Sequence, residues 1–574
     1  MKTTSLLVTA LFALSVSAAA QSPDAAVRIA QALAQRSADG ATFSYAGATT
    51  PRVLFHDVGD DNAQSLLVAP DCNGDGVMDI VTGWDIFKTG DNLTVNSGAG
   101  FLPGQLVWGL ESADGISGGY FYSQEALASY PDITGDGVAE IIGCTAGGGR
   151  AATMYDGETG AVIQSFNSYL GPDTGWVYDV AVVGDVNGNG TIDFAIALGS
   201  DDDAVYMIDG GSTGTHHNEI WRRQGADVFY GVIAVGDIND DGIPDVVAAN
   251  GDNSSAVTAL NGANGHVLWS VNSGATNWHM SIYPDIDGDG IDEPLIGSWQ
   301  TQGLRLLNGA TGEVRWTQNT GSTQVMRVVA MTDVNDDGTP DVAAAGSSGG
   351  AWVISGADGA VVWSANVGSL VWAIDAVPDV TGDGVDEVAY GDFNGITHLA
   401  DGTDGTILWT HDTNGHKVMA LRGAPDLDGD GHGEVVIGAQ QLSSATEPML
   451  FVVDADSGVA GSAPELKPSG VVTLGSVLEL SLTDATPGHT AFTLIGLDPA
   501  LLPLFGKGTL AIDPGFFLIV LTQVVSGEGA IATPLGVPAN PAWDGLSFFM
   551  QTFVLTGSPA TGASSNRTGL LLQS

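Results

Sequence analysis

Short apolar runs bounded by Gly, Asp and Asn recur along most of the chain. WVYDVAVVG precedes Asp185, VFYGVIAVG precedes Asp237 and SLVWAIDAVP precedes Asp379, while FAIALG, VVAANG and EVAYGD follow the polar clusters that come next. Runs this short, rich in β-branched and aromatic residues and punctuated by turn formers, predict strands. A further strand then leads through a tight turn to a tryptophan, as in LNGANGHVLW to Trp269, LNGATGEVRW to Trp316, ISGADGAVVW to Trp363 and DGTDGTILW to Trp409. From Trp221 onward these tryptophans stand 48, 47, 47 and 46 residues apart. Four short strands per repeat of that length predict the blade of a β-propeller.

The polar clusters are copies of one nonapeptide, found eight times. Oxygen-bearing side chains stand at positions 1, 3, 5 and 9, with glycine at 6. They are Asp71, Asn73, Asp75 and Asp79; Asp132, Thr134, Asp136 and Glu140; Asp185, Asn187, Asn189 and Asp193; and Asp237, Asn239, Asp241 and Asp245. The other four copies are Asp285, Asp287, Asp289 and Glu293; Asp333, Asn335, Asp337 and Asp341; Asp379, Thr381, Asp383 and Glu387; and Asp426, Asp428, Asp430 and Glu434. Alternating oxygens followed by a glycine that accepts positive φ let a short loop curl around a hard cation. With a backbone carbonyl near position 7 the donor set suits Ca²⁺ better than Mg²⁺. An EF-hand is excluded because the acid falls at 9 rather than 12 and strands flank the loop. Hairpin turns alone do not require an acid three residues past the glycine, and so many clustered carboxylates repel one another without a counter-cation. On carboxylate count, the Asp185 loop is expected to bind most weakly and the Asp285 and Asp426 loops most tightly.

These loops with their flanking strands resemble the FG-GAP/VCBS repeats of integrin α-subunit propellers and of many secreted bacterial proteins. The Gly-x-x-x-Trp endings resemble the tryptophan-docking signature of quinoprotein-type propellers. In that family the loop joins the first two strands of each blade, so the resemblance implies an all-β, eight-bladed β-propeller carrying up to eight structural Ca²⁺ ions. The last unit lacks its tryptophan strand, and Arg52 to His56 (RVLFH) precedes the first loop. Either this N-terminal strand closes the ring, or the ring has seven blades and one stray loop.

Composition narrows the partners. The 574 residues hold 16 Lys+Arg against 67 Asp+Glu, a net charge of −51, which disfavours nucleic-acid phosphates as ligands. Hydrophobic residues at 44% with only 14% charged argue against disorder. Lys2, the apolar stretch Leu6 to Val16 and Ala18-Ala19-Ala20 read as a signal peptide (1–20), cleaved near Ala20 and directing an exported, extracellular or surface-associated protein. Residues 21–50 form an N-terminal segment, 51–463 the propeller, and 464–574 a C-terminal β-sandwich read from alternating strands such as VVTLGSVLELSL and FFLIVLTQVV. That tail resembles sandwich modules on large exported proteins of environmental bacteria. Cys72 and Cys144 fall at different blade positions, which favours two free thiols over a bridge. His216-His217 read as loop histidines.

No nucleophile elbow, zinc-protease helix or phosphate loop is present. Seven residues before the loops stand Tyr178, Tyr230, Trp278, Met326, Trp372 and Met419, with His279, Arg327 and Arg422 nearby. At the start of the innermost strand, these belong at the channel mouth opposite the cation loops. They are either packing between blades or a ligand face for carbohydrate, since aromatic faces beside a few cations suit sugars. A non-catalytic binding or adhesion protein for carbohydrate or protein ligands is therefore expected. The alternative is a polysaccharide lyase of the pectin or rhamnogalacturonan type, as found on some eight-bladed calcium propellers. Lyase chemistry needs a base and charge-stabilising cations, and the chain has few of the latter.

Overall fold

A computed structural model describes the chain from residue 51 to 571, apart from several intervening segments that include 58–61, 86–91, 111–118, 168–174, 214–218, 429–431, 441–447 and 457–464. The expected signal peptide and N-terminal segment, His216, His217 and Asp430 lie outside the described residues.

Eight four-stranded antiparallel sheets follow one another in chain order. The first seven run from blade 1 (62–69, 79–85, 93–96, 106–110) to blade 7 (371–377, 387–392, 396–400, 407–412). Blade 8 takes three strands from residues 417–454 and its fourth from the other end of the propeller: Val53–Asp57 pairs antiparallel with Leu450–Asp454. The ring therefore has eight blades, closed by the N-terminal strand, which also covers the edge that Leu450–Asp454 would otherwise leave unpaired.

Each strand's burial follows its place in the blade. The second strands, such as Asp341–Gly346 and Glu387–Asp392, are buried along their whole length, with small residues where neighbouring sheets press together. The outermost strands, such as Val361–Asn366, alternate between exposed and covered positions.

Tryptophans tie neighbouring blades together. Each Nε1–H donates to a backbone carbonyl of the next blade: Trp108 to Gly157, Trp221 to Gly262, Trp269 to Gly309, Trp316 to Gly356, Trp363 to Gly402 and Trp409 to Ala455. The Gly of each Gly-x-x-x-Trp turn lies flat beneath the preceding blade's indole. A Cβ on Gly312 would fall 2.6 Å from Trp269, and Gly312 has φ +73°. In blade 2 Gln164 takes the tryptophan's place, and its Nε2 reaches the carbonyls of Asp209 and Gly210. Trp316→Ala is expected to cost about 3–5 kcal/mol, whereas Trp316→Phe, which loses mainly the bond to Gly356, should cost about 1 kcal/mol. Urea denaturation of the two variants measures the difference.

Beyond the propeller, strands 465–469, 477–483 and 531–536 form one antiparallel sheet. Strands 517–524, 490–496, 547–556 and 568–571 form another, with 561–564 also on 547–556. Two sheets of this kind are the strand content expected of a sandwich. Phe101–Leu102, between the third and fourth strands of blade 1, continues the second sheet by parallel pairing with Gly569 and Leu570. The only helical element among the described residues is a 3-10 turn at Gln124–Ala126.

Candidate functional site

All eight nonapeptides connect the innermost strand of a blade to its second strand, so they share one face of the ring. The position-1 aspartate organises the loop. Asp71 Oδ1 accepts the N–H groups of Gly74 and Asp75 at 2.7 and 3.0 Å, and Oδ2 that of Gly76 at 2.6 Å. Asp132, Asp185, Asp285 and Asp379 accept equivalent bonds. Glycine at position 6 is required by the backbone there, with φ of +86° at Gly76 and +94° at Gly384.

The position-9 acid is a buried clasp. Asp245 Oδ2 accepts the N–H of Ile238 and Oδ1 that of Gly262, joining the loop to the turn after the third strand. Asp79, Glu140, Asp193 and Asp341 clasp in the same way. Burial pushes the Asp79 carboxyl up to about 8, with Asp75 adding to the effect. Burial also raises Asp341 to about 6 and Glu387 to about 7.

Among the described residues, carboxylates converge closely enough to share a cation in three loops: Asp285 with Asp287 and Asp289, Asp379 with Asp383 and Glu387, and Asp426 with Asp428 and Glu434. Oxygen-only donors on a curled backbone fit a hard divalent ion. Position 3 contributes side-chain oxygens that also cap the loop, as Asn73 does for the Asp75 N–H. In the Asp285 loop, Arg315 faces Asp287 and Glu293, a cation that counting loop carboxylates leaves out.

The opposite end of the innermost strands carries a second constellation. In seven blades the residue seven before the loop is the extra residue of a β-bulge, skipped by the pairing register: Gln64, Tyr178, Tyr230, Trp278, Met326, Trp372 and Met419. A bulge re-aims the side chain it carries. Here it brings Tyr178, Tyr230, Trp278, Met326 and Trp372 around a single pocket with His279, Arg327, Glu125 and Asp179.

The rings form an arc. Tyr178 meets Trp176 at 6.2 Å and Tyr230 at 5.1 Å between centroids; Tyr230 meets Trp278 at 4.9 Å. Trp278 stacks on Trp299 at 4.8 Å and meets Trp372 edge-on at 6.3 Å across the slim Met326, and Trp372 stacks on Phe393, over which Lys417 lies. Tyr178 and Met326 are buried, whereas Trp176, Tyr230, Trp278, Trp299, Trp372 and Phe393 are half-buried.

Beneath the arc lies an ionic cluster. Glu125 pairs with Arg327 and sits 3.1 Å from His279 Nε2. His279 Nδ1 accepts the Val328 N–H, which assigns the ring proton to Nε2, facing Glu125. Burial lowers the His279 pKa, against the opposing pull of the Glu125 carboxylate. Burial alone would raise Glu125, but Arg327 and His279 hold its carboxyl well below the usual range. Asp179 is pushed well above that range by burial and by the charge of Glu125. Its carboxylate accepts the Val232 N–H, strapping blade 3 to blade 4. Asp375 likewise accepts the Gly423 N–H between blades 7 and 8 and stands 3.8 Å from Arg422. Arg422 therefore joins the axial ionic cluster, although it does not line the pocket. Cys72 and Cys144 are both buried and unbonded to each other.

Sequence reasoning missed Glu125, Asp179 and Asp375. A signal for the first was present, because Glu125 stands seven residues before Asp132, the same offset as the aromatics. Asp179 and Asp375 look like isolated polar residues in apolar strands until the neighbouring blade supplies their partners.

Ring, loops and docking tryptophans define an eight-bladed β-propeller. Residues 185–248 match the family model described as FG-GAP-like repeat. A search of curated proteins finds no match. Among solved structures the chain is similar to the computationally designed Ika8 protein (16% identity, 70% of this chain and 99% of that one, TM-score 0.47). It is also similar to Saccharomyces cerevisiae Sqt1 (12% identity, 70% and 99%, TM-score 0.49) and to the C-terminal WD40 domain of Sif2 (13% identity, 71% and 98%, TM-score 0.45).

Proposed function

We propose that the protein is an exported, calcium-stiffened binding propeller that holds a carbohydrate on the aromatic arc at its channel mouth, without catalysis. The observation that carries this reading is the run of neighbouring rings from Trp176 to Phe393, mostly half-buried, in which Tyr178, Tyr230, Trp278 and Trp372 stand at strand bulges. Rings with exposed faces stack on the apolar faces of sugars, and buried carboxylates beneath can accept hydroxyl hydrogen bonds. A net charge of −51, still strongly negative with up to eight Ca²⁺ bound, favours neutral glycans over polyanionic ones. The signal-peptide reading of residues 1–20 supports export, and the loop donor sets support calcium.

A glycan array probed with and without calcium tests the reading. Trp278→Ala, at the centre of the arc, is expected to weaken binding by about 30-fold or more, the usual loss for a buried aromatic anchor worth about 2 kcal/mol. Unchanged binding would remove the arc from the function. The lyase reading meets an obstacle in that Arg327 and Arg422 already face Glu125 and Asp375. Absorbance of unsaturated product on pectic substrates would reinstate it.

A further inference from the structure

The residue just before the docking position of the outermost strand is aliphatic in six blades: Val107, Ile163, Ile220, Leu268, Val362 and Leu408, each half-buried against the core between sheets. In blade 5 it is Arg315. Its Nη2 lies 2.5 Å from Asp287 Oδ2 and 2.5 Å from Glu293 Oε1, so one guanidinium engages positions 3 and 9 of the same loop. Glu293 is almost wholly buried, at 1% side-chain exposure, and its other oxygen accepts the Ile286 N–H. Neither of its oxygens is left without a partner.

The neighbouring turn is altered to match. In blade 4, Asn261 donates to Asp241 at position 5 of its own loop; the equivalent Asn308 of blade 5 donates instead to Asp287 at position 3. Asp287 Oδ2 is thus engaged by both Arg315 and Asn308, although the residue still converges with Asp285 and Asp289. Two of the four side chains that a divalent ion would need are committed to an internal cation whose charge does not depend on pH or on metal supply.

We propose that Arg315 is the resident counter-cation of blade 5, which is held closed without a divalent ion and takes one only when the guanidinium is displaced. The proposal rests on the reading of the other loops as calcium sites, and it reverses the rank that carboxylate counting assigns to the Asp285 loop. Its consequence lies at the other end of the same strand. Trp278 and His279 open the innermost strand of blade 5, Asn277–Tyr283, which runs directly into this loop. The blade that carries the centre of the aromatic arc is therefore clamped independently of calcium.

The test compares the full chain with Arg315→Leu, the aliphatic choice of blades 4 and 7. Both are stripped with EDTA, dialysed into metal-free buffer and titrated with CaCl₂ by calorimetry and equilibrium dialysis. Arg315→Leu is expected to bind one ion more per chain than the wild type, and to melt lower than the wild type in EDTA but not in calcium. Native mass spectrometry of both proteins purified in calcium counts ions without stripping, and the same one-ion excess is expected there. Equal, non-zero counts and affinities would overturn the role of Arg315 while leaving the calcium loops standing. No bound calcium in either protein would overturn the loop reading itself, and this proposal with it.

Discussion

Chelation of divalent cations is expected to lower the melting temperature by about 10 °C or more, through loops that lose their counter-charge together. An ion bound only to the native state contributes about 2.7 kcal/mol when its concentration is a hundred times its dissociation constant. Several such ions on one ring outweigh most single interactions in a domain whose net stability is about 5–15 kcal/mol. Without the ion, the position-1 and position-5 carboxylates of a loop such as that from Asp379 are left close to the buried Glu387, and their repulsion is uncompensated. Differential scanning calorimetry in EDTA, then with calcium restored, measures the effect. Magnesium should restore less of it, because the smaller ion tolerates an irregular oxygen cage poorly. An unchanged melt in EDTA would show that the backbone bonds to the position-1 aspartates suffice to hold the loops.

Glu125→Ala should be the most damaging single substitution on the axis. Glu125 is the carboxylate that faces both Arg327, buried at 5% exposure, and the His279 Nε2–H. Removing one partner of a buried pair leaves an uncompensated charge and typically costs about 3–5 kcal/mol. The double variant Glu125→Ala/Arg327→Met removes both charges and should recover most of the loss, which urea denaturation of the two proteins would register. If the single variant is as stable as the wild type, water rather than Glu125 satisfies the guanidinium. The pH dependence has a definite sign. The Glu125 carboxyl is depressed in the folded state, so its contribution is complete above the ordinary carboxylate range and is lost as pH falls through and below it. Acid should therefore weaken the Glu125–Arg327 pair, while Asp179 and Asp375, whose carboxyls are raised by burial, contribute with the opposite sign.

Much of the fold was legible because its signals are local. A nonapeptide with oxygens at 1, 3, 5 and 9 and glycine at 6 specifies its own curl: Asp71 bonds to residues three to five positions away. Trp269, Trp316, Trp363 and Trp409 were equally legible, since each follows a turn of fixed length whose glycine meets the preceding blade's docking tryptophan. Blade count was less accessible. Eight loops were visible, but a stray loop on a seven-bladed ring has the same sequence signature. Only the pairing of Val53–Asp57 with Leu450–Asp454 separates the two.

The candidate binding face shows the same division. Spacing alone placed Tyr178, Tyr230, Trp278 and Trp372 at one end of the innermost strands. It could not show that each is bulged out of its ladder, because a bulge depends on the register of the partner strand. Nor could it pair Glu125 with Arg327, which lie 202 residues apart and meet only because blades 2 and 6 face each other across the axis. Arg315 is the sharpest instance. In the sequence it is one basic residue before a tryptophan, and only the folded blade lays its guanidinium against Asp287 and Glu293. Repeat length, turn chemistry and the loop donor sets are properties of neighbours along the chain, so the amino-acid order alone determines them. Ring closure, the aim of the mouth residues and the pairing of buried charges are properties of neighbours in space, and they exist only once the eight sheets have packed.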